Sequence, residues 1–146
     1  MCPNPIASLI QDAERIQSSL AEDVRSLCAA RDAVAQARQA RQAAQELYEE
    51  AETEFLFSLI FENEQYSGCK NADQRQVVKD AALVKARQSG VLRQVWRTFN
   101  ECRIAQDNAT LKYDKAEDRF KAIRVAAELQ AAMLIGATTD AKLLHQ

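Results

Sequence analysis

Between Ile6 and Ser67 the chain holds neither glycine nor proline, and apolar residues recur there at alternating spacings of three and four. Taken every seventh residue, one set reads Ile6, Ala13, Leu20, Leu27, Val34, Arg41, Tyr48 and Phe55. Its companion, three residues on, reads Leu9, Ile16, Asp23, Ala30, Ala37, Ala44, Ala51 and Ser58. A heptad stripe this long marks a helix that cannot bury itself and needs a second helix along the same face. The period predicts a first helix over about residues 6–66, which at ~1.5 Å per residue would be about 90 Å long.

Glycines divide the rest of the chain. Ser67-Gly68-Cys69-Lys70 reads as a turn, with Gly68 suited to the left-handed conformation that often closes a helix. Asn71 is a good N-cap, and Gln74 three residues later can complete a capping box. A second helix is expected over about 72–88. Gly90 would cost ~1 kcal/mol inside a helix relative to alanine, so a break is expected near Ser89-Gly90. A third helix then runs over about 91–135 and ends near Gly136, with a last short turn at 141–144.

The third helix carries heptads of its own. Leu92, Phe99, Gln106, Tyr113, Phe120, Ala127 and Leu134 form one line; Val95, Cys102, Ala109, Ala116, Ile123 and Gln130 form the other. Two striped helices with a reversal between them predict an antiparallel hairpin. Pairing residues whose numbers add to 136 sets Leu9 with Ala127, Ile16 with Phe120 and Ala44 with Leu92, large against small, and puts the reversal at Gly68. That register places Asp23 opposite Tyr113, within reach of a hydrogen bond, and Arg41 near Val95 and Arg97. The expected fold is all-α: a single elongated helical domain (1–146), a long antiparallel coiled-coil hairpin with a short third helix at the turn end.

Composition narrows the function. Only three glycines and two prolines occur in 146 residues, too few for a sheet protein rich in turns. A net charge of −2 creates no field that would gather nucleic acid. No apolar run approaches the roughly 18 residues that span a bilayer, so no membrane is expected. The spacing of Cys2, Cys28, Cys69 and Cys102 fits neither zinc nor redox chemistry and suggests reduced thiols and a cytoplasmic location. The only histidine is His145, which leaves no His-based catalysis and no Glu-x-x-His metal motif on the long helices. No enzyme, cofactor or metal site is expected.

Two features point to partners. Phe55-Leu56-Phe57-Ser58-Leu59-Ile60-Phe61 is apolar nearly all round the helix, and such a segment is usually covered on all sides. With Val77, Val78 and Trp96 it forms an expected interaction head that would bind a second copy or another protein, although Trp96 beside Val95 and Phe99 also suits a core. The second feature is charge. Glu46, Glu49, Glu50, Glu52, Glu54, Glu62 and Glu64 have no Lys or Arg between them, whereas Lys70 to Arg103 is rich in both. The hairpin would bring these runs together, so most of the charges are expected to meet each other. The alternative gives Arg75, Lys79, Arg87, Arg93 and Arg97 to nucleic acid.

From Asn71-Ala72-Asp73-Gln74-Arg75 to Tyr113-Asp114-Lys115-Ala116-Glu117-Asp118-Arg119-Phe120-Lys121-Ala122-Ile123-Arg124, the chain resembles small all-helical proteins encoded by phages and prophages, sometimes found beside recombination genes. The resemblance covers about the second half. It implies no catalytic residues and an accessory role near DNA recombination or replication. The reading taken forward is a non-enzymatic, self-associating helical-hairpin protein of interaction or assembly; the alternative is an accessory nucleic-acid-binding protein.

Overall fold

The computed structural model describes residues 5–144, so Cys2 and His145 lie outside the described residues. Four helices follow one another: α1 (Pro5–Glu62), α2 (Glu64–Ser67), α3 (Ala72–Ser89) and α4 (Arg93–Leu143). The fold is all-α, a hairpin of two long helices with short helices at the turn. The heptads explain it position by position. From Ile6 to Phe55 every residue of both expected α1 lines is buried or half-buried, and only Ser58 at the end is exposed. Every member of both α4 lines, Leu92 to Leu134, is likewise covered, and Ala137 and Ala141 extend the stripe.

The element boundaries depart from expectation in three places. α1 stops at Glu62, because Asn63 leaves helical geometry (φ −96°, ψ 115°) and its side chain accepts a hydrogen bond from the Tyr66 amide, starting α2. Gly68 is right-handed (φ −76°, ψ −9°), so the turn does not use the left-handed cap. α4 continues through Gly136; Thr138 and Thr139 bond back to the carbonyls of Leu134 and Ile135 and stay within the helix. Asn71 does cap α3, accepting from the Gln74 amide at 2.9 Å, while the Gln74 side chain reaches back to the Lys70 amide at 3.0 Å.

The chain groups into two compact units. One combines the residues up to Val34 with those from Ala109 onward; the other spans Ala35–Asn108. In the first unit only α1 and α4 meet. Gln130 Nε2 donates to the Leu9 carbonyl at 2.9 Å, one turn beyond the expected partner Ala127. The expected Asp23–Tyr113 hydrogen bond does not form. Asp23 instead lines an open groove with Lys115, Ala116 and Arg119.

In the second unit α3 packs as a third wall. Leu83 and Ala86 of α3 and Leu92 at the head of α4 form the buried cluster, with Ala51, Phe55, Leu56 and Val95 against it. Leu92 is only 1% exposed, and burying such a side chain contributes about 1.5–3 kcal/mol. Because α3 occupies this position, α4 begins further along α1 than a plain hairpin would allow. Tyr48, expected opposite Gln88, meets Trp96 and Phe99, roughly two to three turns later. Arg41 donates to Gln106 at 3.1 Å and does not lie beside Val95. A stripe presents a residue at every turn of the helix, so a displacement by whole turns leaves both stripes facing inward. The stripes therefore hold although the numerical register does not.

The α3–α4 junction is tight. The Ala86 carbonyl accepts from both Gly90 and Leu92 amides, at 3.1 and 3.2 Å. A Cβ at Gly90 would stand 2.8 Å from the Ala86 Cα, whereas at Gly136 nothing lies within 4 Å. Gly90→Ala is expected to destabilise by about 1–3 kcal/mol. Gly136→Ala is expected to stabilise by up to ~1 kcal/mol, since helix propensity alone changes there. Thermal melts of the two variants should move in opposite directions, by about 2–4 °C per kcal/mol.

Candidate interaction surface

The apolar head divides into an inner and an outer half. Phe55 and Leu56 pack on the Leu83–Ala86–Leu92 cluster, and Leu59 is buried. Phe57, Ile60 and Phe61 point the other way; Phe57 is 65% and Phe61 71% exposed. Their rings lie 4.5 Å apart, centroid to centroid, one helical turn from each other. On α3, Val77 is 68% exposed, while Val78 is half-buried in a shallow groove with Gln65, Cys69 and Gln74. The expected interaction residues are therefore not one patch. Phe55, Leu56, Leu59 and Trp96 are part of the unit's own packing, and Phe57, Ile60, Phe61 and Val77 remain exposed.

Trp96 takes part in an aromatic cluster. Tyr48 lies 5.0 Å from Trp96 and 5.8 Å from Phe99, and Trp96 and Phe99 are 5.9 Å apart. Arg87 of α3 lies across it, its guanidinium 4.6 Å from the Trp96 ring centroid and 5.5 Å from that of Tyr48. Its Nε donates to the Tyr48 hydroxyl at 2.7 Å, and Nη2 donates to Glu52 Oε1 at 2.9 Å. The planar fork thus satisfies two acceptors and covers an aromatic face at once, which a lysine could not do. The heptad placed Tyr48 and Phe99 in the seam, but nothing in the local sequence marked Arg87 as the residue that would join them.

The expected pairing of acidic and basic runs is mostly absent. Among the described residues four ion pairs form, and only Arg87–Glu52 links one run to the other. Arg75, Arg93 and Arg97 are exposed, and Lys79 is half-buried. Of the five candidate nucleic-acid contacts, Arg87 is already engaged within the fold. Cys28, Cys69 and Cys102 are free thiols. Among the described residues no group of three or more His, Cys, Asp or Glu converges as a metal site would require, and no helix is long and apolar enough to cross a membrane.

Together these features define a class by architecture: an all-α helical hairpin whose turn end is thickened by a third helix and bears exposed aromatic residues. Set against family models, curated proteins and solved structures, the chain matches none.

Burial raises the Tyr48 hydroxyl above its ordinary value of 10.0; Glu52 adds to the rise and Arg87 opposes it. Burial works against the charge of Arg87, but its bonds to Tyr48 and Glu52 outweigh that and hold the guanidinium above its ordinary value. A raised tyrosine contributes its full stabilisation below the unfolded pKa near 10 and loses it as pH climbs through the folded value. Urea midpoints should therefore fall above about pH 10, and Tyr48→Phe should flatten that fall. An unchanged alkaline slope in Tyr48→Phe would assign it to other groups.

Proposed function

We propose that this chain is a non-enzymatic interaction or assembly protein that associates with itself through the outer half of its apolar head. The observation that carries this reading is the pair Phe57 and Phe61, two large rings held in contact with each other and mostly open to water. Water-exposed aromatic clusters of this kind are typical of sites that become buried on association, where aromatic residues contribute heavily to affinity. Val77 and Ile60 add further exposed apolar area. The reading assigns no catalytic group, and it assigns the protein to the cytoplasm because its thiols fit a reducing compartment. Light scattering after size exclusion should give a mass above that of one chain at micromolar concentration. Phe57→Ser with Phe61→Ser should shift it toward the monomer while helicity stays constant; a wild-type monomer sinks the reading.

A second reading, accessory binding of nucleic acid in recombination or replication, is favoured by the exposure of Arg75, Arg93 and Arg97 without carboxylate partners. It agrees with the resemblance to phage-encoded helical proteins. It requires salt-sensitive binding to single-stranded DNA that weakens when these arginines become glutamine. Absence of binding at low salt removes it.

A further inference from the structure

The outer face of α4 carries a second heptad line that the hairpin does not use. Leu111, Lys115, Asp118, Ala122, Val125 and Leu129 follow one another at spacings of four and three, and all six are exposed. Each stands two residues before or after Tyr113, Phe120 or Ala127 of the inward stripe, which is roughly half a turn round the helix. Toward the start of α4 the line runs on through Asn108 and Ile104 with the same spacing. Ile104, Leu111, Val125 and Leu129 are each more than half open to water. A heptad line of this length is the pattern of a helix that meets another helix, yet here it faces solvent. Its two charges are of opposite sign, and neither Lys115 nor Asp118 belongs to an ion pair among the described residues.

We propose that this line docks, antiparallel, on the same line of a second copy. The contact goes beyond the apolar head and uses none of its residues. Lys115 of each chain then meets Asp118 of the other, and the pair occurs twice about a two-fold axis. From that centre outward Leu111 meets Ala122, Val125 meets Asn108 and Leu129 meets Ile104. The Leu111 layers set large against small, and the Leu129 layers are wholly aliphatic. The line is its own complement, which makes a second copy the occupant, and such an isologous contact closes at two copies. The flanking charges nearly balance. Asp114 comes beside Lys121, and Asp107 beside a Glu128 already paired with Arg124. On the other flank Lys112 comes beside Arg119, with Asp23 lining the same groove. A parallel arrangement would pair Asp107 with Lys112 and Asp114 with Arg119 at the rim, but it would stack Lys115 on Lys115 and Asp118 on Asp118 in the seam. Charges in the seam lose more water than charges at the rim, so the seam sets the direction.

Charge exchange in the seam tests the contact apart from the head. The Phe57→Ser/Phe61→Ser chain, although lighter than wild type, should still show a monomer–dimer equilibrium by analytical ultracentrifugation. Adding Lys115→Asp or Asp118→Lys makes the seam like-charged and should weaken that dimer roughly tenfold or more. Adding both restores opposite pairs and should recover it. Leu111→Ala with Leu129→Ala, which keeps the charges and favours the helix, should weaken it as well; circular dichroism checks helicity throughout. Direction is read by cross-linking in a chain whose four native cysteines are replaced by alanine. Leu111→Cys mixed with Ala122→Cys should give a disulfide-linked pair on mild oxidation, and Leu111→Cys alone should not. A head variant that is purely monomeric, charge variants that dimerise like their parent, or self-linking by Leu111→Cys alone overturns the proposed contact. The head reading is judged separately, by whether wild type is heavier than the head variant.

Discussion

Two helices packed side by side can cover only one stripe on each, and a third helix is needed before any side chain is enclosed. Every buried residue among those described, from Ala44 and Tyr48 to Leu59, Leu83, Ala86 and Leu92, lies within residues 35–108, where α3 supplies that third wall. In the unit built from residues 5–34 and 109–144 the same kind of seam leaves no described position buried outright. Stability in this chain is therefore uneven. The greatest desolvation, and with it the strongest hydrophobic contribution, belongs to the region around Leu92.

Arg87 joins the three elements of that region. It sits on α3, hydrogen-bonds Tyr48 and Glu52 of α1, and stacks over Trp96 of α4. A guanidinium is weakly hydrated for a cation and planar, so it can be partly buried against rings while its edge stays hydrogen-bonded. Removing one member would leave the others short of a partner, a more costly change than losing an exposed pair. The same contacts engage Arg87 and Trp96 within the fold, although the sequence offered both as contacts for other molecules.

The remaining charges were not absorbed in this way. The register that would have set Glu46–Glu64 beside residues 72–90 gives way once α3 packs for its apolar residues, because Leu83 and Ala86 fill the core and carry the rest of α3 with them. Hydrophobic enclosure contributes more than exposed ion pairs, each worth about 0–1 kcal/mol, so the charges follow the packing. The outcome leaves most of both charge runs outside any ion pair among the described residues.

The sequence alone determined the two long helices and α3, the inward stripe of α1 from Ile6 to Phe55, the stripe of α4 from Leu92 to Leu134, the Asn71 cap and the break at Gly90. Each follows from local chemistry or from a period that survives a shift along the helix. The sequence did not show the interruption at Asn63 that sets α2 apart. Tertiary structure decided the rest. It moved Tyr48 from Gln88 to Trp96 and Phe99, split Phe55–Phe61 into a packed and an exposed half, and chose Arg87 alone from the basic run for an internal pair. A seven-residue repeat fixes which face is buried but not which turn of one helix meets which turn of the other. Only the volume of α3 wedged against Leu92 settles that.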